Sequence, residues 1–235
     1  MTNDTPHLPA GADSVEAAIS TRRSIRAFLP TEVPEALVLR ILDIARRAPS
    51  GTNMQPWKVQ VVAGEMRDRL VAEVMAHREN DPQDAKAEFP RTSKRKEPYT
   101  GRMRTLGKEM YGLLGIPKGD KAANWRQWGR NYEFFDAPVG LIFTIDKDLD
   151  AMSFIDIGIF MQTLMLAAKA RGLDTCSQGA WNNFWSVTRR VLDVPDDEYI
   201  IAGMSLGYAD ETQPVNTLVA EREPLDSFAT FHGFD

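Results

Sequence analysis

Apolar positions along the chain fall into runs of two kinds, some at helical spacing and some β-branched and short. Val15, Ala17, Ala18 and Ile19 predict a short helix over Ser14 to Ser20. Leu37, Leu39, Ile41, Leu42, Ile44 and Ala45 predict a second, with Thr31 able to cap it, Pro34 suited to its first turn and Pro49 ending it. Val59, Val61 and Val62 predict a strand from Lys58 to Ala63, and a charged helix follows over about Glu65 to Arg78. A strand from Val139 to Ile145 precedes the most apolar helix, about Ser153 to Arg171. Its Phe154, Ile155, Ile157, Ile159, Phe160, Met161 and Leu164 leave almost no polar face, so it is expected to be buried all round, at the domain centre or at a subunit interface. Its methionines read as packing material. Asp174 to Trp181 reads as a strand and turn, a polar helix reaches Leu192, and Tyr199 to Tyr208 reads as a further strand. The tail, 209–235, has little regular pattern. Without an internal repeat or a clean linker, one α/β or α+β domain over 14–235 is the simplest reading, preceded by a flexible arm over 1–13.

One segment breaks the pattern. Between Arg91 and Arg130 there are eleven Lys or Arg against three Asp or Glu, although the 235-residue chain carries a net charge of −5. Pro90, Pro98, Gly101, Gly107, Gly112, Gly115 and Pro117 punctuate it, while Tyr99, Met103, Leu106, Met110, Tyr111, Leu113 and Leu114 are interleaved with the charges. That mixture favours a partly helical lid over a disordered linker. Its positive field suits an anionic substrate or cofactor, or serves only as a solvated face.

Composition narrows the function classes. Hydrophobic residues at 43% and charged residues at 26% are those of a soluble globular protein. The single cysteine, Cys176, precludes an internal disulfide and fits a reducing compartment. No apolar run is expected to span a bilayer and the polar N-terminus is no signal sequence, so the expected location is cytoplasmic. His7, His77 and His232 lack ligand spacing, so no metal site is expected. Walker loop, G-x-G-x-x-G and G-x-S-x-G motifs are absent, and no histidine is evidently paired with Cys176 to make it a nucleophile. A chain so poor in reactive groups points to a cofactor for its hard chemistry.

Two stretches stand out. Thr21-Arg22-Arg23-Ser24-Ile25-Arg26 sets three guanidinium groups and a hydroxyl within five residues, a donor set matched to phosphate, or else a solvated basic turn. Ala48-Pro49-Ser50-Gly51-Thr52-Asn53-Met54-Gln55-Pro56-Trp57 follows one helix later. Together they resemble the flavin-binding pattern of the nitroreductase family. Phe135-Asp136-Ala137-Pro138 before a strand, the apolar helix, the Gln178-Gly179 turn, the Gly203 to Gly207 strand and the late Arg222-Glu223-Pro224 extend the likeness over about 14–225.

The resemblance implies a three-layer α-β-α sandwich of the α+β class with a mostly antiparallel sheet, forming an intertwined homodimer with FMN at each of two interface sites. Arg22, Arg23, Ser24 and Arg26, with Arg222, would hold the phosphate and ribityl end of FMN. Pro49, Ser50, Gly51, Asn53 and Gln55 would approach from the other subunit. Backbone N–H groups of Gln178 and Gly179 would face flavin N5 and O4, so that no side chain is catalytic in its own right. NADH or NADPH would donate a hydride and a nitroaromatic or quinone acceptor would take it, in ping-pong fashion. Two departures stand out. Ala220 occupies the place of a lysine found in some members, and the basic insertion resembles lids of the dehalogenating and nitrobenzoate-type branches. The turn at Ser177-Gln178-Gly179 leans towards hydride transfer, although Ser177 or Thr175 could serve as the hydroxyl that the deiodinating branch uses. Lys94, Arg95, Lys96, Arg102, Arg104 and Lys108 would suit a carboxylated acceptor such as a nitrobenzoate, with Tyr99, Tyr111, Trp125 or Trp128 stacking on its ring. The alternatives are a reductive dehalogenase of halophenols and a non-catalytic flavin- or nucleotide-binding protein. The acidic remainder of the chain disfavours nucleic acid as a partner.

Overall fold

The computed structural model describes residues 11, 13–88 and 95–234. Nearly all of the expected arm over 1–13, together with Pro90, Arg91 and Lys94, lies outside these described residues. In chain order the elements are α1 (Val15–Thr21), α2 (Glu35–Ala45), β1 (Lys58–Ala63), α3 (Gly64–Asn80), α4 (Tyr99–Leu113), α5 (Lys121–Gly129), β2 (Val139–Asp146), α6 (Ala151–Lys169), β3 (Asp174–Gln178), α7 (Trp185–Leu192) and β4 (Glu198–Gly207). The strands form one antiparallel sheet in the order β1-β2-β4-β3.

Strand β2 shows why the fold has three layers. It is buried almost throughout, and its alternate side chains serve two separate cores. Val139, Leu141, Phe143 and Ile145 pack with Ile157, Phe160 and Leu164 of α6 and Val38 and Ile41 of α2. Ile142 packs on the other face with Leu70 and Val74 of α3, Val187 and Val191 of α7, and Trp181. Each such fully buried side chain contributes about 1.5–3 kcal/mol of transfer free energy.

Two glycines make room for aromatic rings on the second face. A Cβ on Gly203 would lie 2.2 Å from the Trp181 ring, and one on Gly140 would lie 2.4 Å from Phe134. The two rings stack with centroids 4.5 Å apart.

Three expectations need correction. Thr31 does not cap α2; the helix begins at Glu35 with Pro34 in the N-cap position, where the Pro34 carbonyl accepts the Leu37 and Val38 N–H groups. Helix α6 is buried on one side within the single chain, which removes the domain-centre alternative and leaves the subunit-interface one. Asp156, Ile157, Phe160, Met161 and Leu164 face the core, whereas Met152 and Ile155 are 63% and 54% exposed and the stripe continues through Gly158 and Gln162. Apolar composition fixed the character of the outer face without fixing what covers it. Helix α6 is also long and apolar enough by composition to cross a membrane, contrary to the expectation that no such run exists. Ser153 and Asp156 lie on its buried side.

The lid region is helical, as α4 and α5. Helix α5 is moored by Arg78, which is 1% exposed, lies 3.5 Å from the centre of the Trp125 ring and donates to the Trp125 carbonyl. Trp125 Nε1 donates to Glu79 at 3.3 Å. Gly129 leaves space for the guanidinium, since a Cβ there would sit 2.9 Å from Arg78 Nη1. Helix α4, by contrast, has no buried residue.

Candidate functional site

The arginine stretch runs along the outer edge of β3. Ser24 and Thr175 form a parallel bridge, and Ile25 N–H donates to the Thr175 carbonyl at 3.1 Å. Buried Ile25 and Phe28 anchor the segment to the core, while Arg26 between them and Arg22, Arg23 and Ser24 before them stay half-buried at its surface. Arg22, Arg23, Ser24 and Arg26 line a cavity of about 800 Å³, together with Arg222 from the C-terminal segment. Leu106 of α4 and Leu218, Val219 and Ala220 provide its apolar walls.

Asn216, which nothing in the sequence pattern marks, ties the two pieces together. Its Oδ1 accepts the Arg26 N–H at 2.7 Å, and its Nδ2 donates to the carbonyls of Ala27 and Asp210. Arg26 Nη1 donates to the Ser24 carbonyl, and Arg222 Nη1 to the carbonyls of Ala220 and Glu221. Among the described residues no carboxylate forms an ion pair with any of these four arginines. Four guanidinium groups around one cavity with no acid to neutralise them make a site for an anion with several oxygens.

Cys176 reports on the same field from beneath. Burial pushes its thiol up to about 11, against a pull in the other direction from Arg26 and Arg22. A thiol in that state is protonated at neutral pH and is no nucleophile. Among the described residues no three His, Cys, Asp or Glu side chains cluster closely enough to hold a metal ion.

Gln178 ends β3 with its side chain turned inward. It is 2% exposed, accepts from Ser205 Oγ at 3.1 Å and donates to the Asn131 carbonyl at 2.7 Å. Ser177 and Gly179 on either side are exposed, so the turn presents backbone rather than the Gln178 side chain.

The second stretch is a 3-10 turn, Gly51–Asn53, with positive φ at Thr52 (46°), Asn53 (61°) and Gln55 (52°). Such angles are costly for a β-branched residue like Thr52, and backbone strain of this sort gathers at functional sites. The turn is held by its own bonds: Ser50 Oγ accepts Gln55 N–H at 2.9 Å, Gln55 Nε2 donates to the Asn53 carbonyl, and Asp156 of α6 accepts Gly51 N–H at 3.1 Å. Pro49, Gly51, Asn53 and Gln55 are exposed, Ser50 is half-buried, and none of them lines the arginine cavity. The single chain therefore joins Arg22, Arg23, Ser24, Arg26 and Arg222 and leaves this turn apart from them, moored to α6 through Asp156.

The lid residues divide. Arg102 Nε donates to Glu223 Oε1 at 2.6 Å. Trp125 is occupied by Arg78 and Glu79. Arg104 and Tyr111 line a second cavity of about 680 Å³ with Lys108, Lys118 and Asn124, on the side of α4 away from Leu106. Tyr99 and Trp128 are exposed at 56% and 46%. Arg95 Nη1 contacts Met103 Sδ, and Lys96 gives its carbonyl to Thr100 N–H.

Residues 19–208 match the nitroreductase family model. A 4-nitrobenzoate reductase of Pseudomonas putida is 46% identical over 225 residues, covering 95% of this chain and 97% of its own. A nitrobenzene nitroreductase of Ectopseudomonas oleovorans is 41% identical over 92% of this chain and 96% of its own. Among solved structures, an FMN and NADPH-dependent nitroreductase NfnB from sphigopyxis sp. strain HMH superposes with a TM-score of 0.91 at 34% identity, covering 94% of this chain and all of that one.

Proposed function

The chain belongs to the nitroreductase family, and from that premise we propose that it is an FMN-dependent oxidoreductase that uses NAD(P)H to reduce nitroaromatic compounds. The observation that carries the reading is the arginine cavity, where Arg22, Arg23, Arg26 and Arg222 stand without acid partners among the described residues. Their donors fit a phosphate, and Ser24 adds a hydroxyl at the same place. Ala220 contributes only a methyl group to the wall, so Arg222 is the sole cation that the C-terminal segment brings to the cavity lining.

FMN, when bound, supplies the hydride chemistry between nicotinamide and nitro group. The chain's own residues bind and orient. Gln178 and Gly179 do not line the arginine cavity themselves; their backbone N–H groups would serve the flavin ring, with the Gln178 side chain, fixed by Ser205 and Asn131, holding the turn in place. Among the described residues no histidine, carboxylate or thiol lines the cavity, so protons come from water.

A second copy of the chain completes the site. Supporting this are the apolar stripe Met152 and Ile155, exposed in the single chain, and the strained Pro49 to Gln55 turn moored to the same helix through Asp156. Pro49, Ser50, Gly51, Asn53 and Gln55 then reach the partner's cofactor. The favoured acceptor is a carboxylated nitroaromatic, in keeping with the relative named for 4-nitrobenzoate, with quinones next. Arg102 and Arg104 are paired with Glu223 and Glu97 and Trp125 with Arg78, and the cavity lined by Arg104, Lys108 and Tyr111 lies across α4 from the arginine cavity, so no lid residue is assigned to the acceptor's carboxylate. A cytoplasmic location suits the supply of reduced nicotinamide.

The test is an anaerobic titration of the FMN-loaded protein with NADPH or NADH, followed by 4-nitrobenzoate. Bleaching of the visible flavin band by one equivalent of reductant, and its return on adding the acceptor, is the expected result. A protein that takes up no FMN, or whose FMN is never reduced, overturns the reading.

A further inference from the structure

Helix α4 and the C-terminal segment form two walls of the arginine cavity, contributed by Leu106 on one side and Leu218, Val219, Ala220 and Arg222 on the other. Helix α4 is held lightly: none of its residues is buried, Leu106, Met110 and Tyr111 are half-buried, and it touches the Pro214–Thr217 turn. Arg102 lies one turn before Leu106 on the same side of that helix, and Glu223 follows Arg222 directly. Their ion pair, 2.6 Å between Nε and Oε1, is the only one among the described residues that joins α4 to the C-terminal segment.

We infer that Arg102 and Glu223 are positioning residues that hold the two walls closed and so retain the phosphate-bearing cofactor, with Glu223 steadying Arg222 at the anion. The inference rests on the reading that this cavity takes FMN. It carries a sign that simple electrostatics does not share. Glu223 is an acid beside a cationic site, so if it acted only through its charge, removing it would tighten the hold on a phosphate. As a catch, removing it loosens that hold.

The experiment is the release of FMN from the loaded holoenzyme after dilution, followed by the fluorescence of the freed flavin. Glu223→Gln is expected to release FMN about two- to fivefold faster than the parent, the range of an exposed ion pair. The charge-swapped double variant Arg102→Glu with Glu223→Arg is expected to return within about a factor of two of the parent rate. Release from Glu223→Gln that is unchanged or slower overturns the inference, as does a swap no better than Glu223→Gln. Arg22→Ala serves as the control. If it releases FMN no faster than the parent, the cofactor reading fails together with this inference, whereas fast release from Arg22→Ala with normal release from Glu223→Gln removes the inference alone.

Discussion

Arg22 and Arg26 sit above Cys176, and the three together give two tests of the cavity. Replacing either arginine with alanine removes a charge-assisted hydrogen bond of about 1.5–3 kcal/mol, so FMN affinity is expected to fall about 10- to 100-fold in an equilibrium fluorescence titration. Cys176 makes a prediction about pH. The thiol is raised from an unfolded value of 9.0 to about 11, so the folded chain binds the proton more tightly. Its stabilising effect is complete below pH 9 and is lost as pH rises towards 11, a difference of about 2–3 kcal/mol at most. Urea unfolding of Cys176→Ser against the parent should show a smaller loss of stability across that window, and equal losses would contradict the burial argument. The arginines themselves were legible in the sequence because three in five residues is a local pattern. Asn216 was not, because its role depends on a contact with Arg26 across 190 positions of chain.

Among the elements, β1, β2, β4 and α6 were readable from periodicity and β-branching, and the helical lid from its apolar residues. The start of α2 was misread because Thr31 is a good capping residue by type, whereas Pro34 sets the backbone at the true start. Glycines inside β2 and β4 carry a constraint that sequence leaves silent: Gly140 and Gly203 are notches for Phe134 and Trp181. Gly203→Ala forces its methyl into Trp181, so a loss of about 1–3 kcal/mol is expected in denaturant unfolding, with the Trp181 environment disturbed in near-UV circular dichroism. Ala at an exposed helical site such as Gly112, where a Cβ meets nothing within 4 Å, should instead raise stability by about 0.8–1 kcal/mol.

At the scale of the molecule, one chain holds two parts of a pattern that it does not bring together. The arginine cavity lies at the edge of β3, and the Pro49 to Gln55 turn is moored to α6 through Asp156. In the dimer proposed above, Ile155→Asp places a charge in the exposed stripe of α6 and is expected to give a monomer in sedimentation analysis, with FMN affinity falling in parallel. Retention of FMN by a monomer would separate the turn from the cofactor. This arrangement could not be read from spacing, because the apolar character of α6 says that something covers it and leaves open which surface does.

The two helices of the lid are fastened by different chemistry. Helix α5 rests on a guanidinium sealed beneath an indole, beyond the reach of dissolved ions, while α4 is held by an acid and a base both open to water. Mobile counterions weaken only the second fastening. The lid is thus hung like a door, with a dry hinge and a wet catch. On the inference drawn above, ionic strength sets how firmly that catch holds, and raised salt is expected to speed FMN release from the loaded protein.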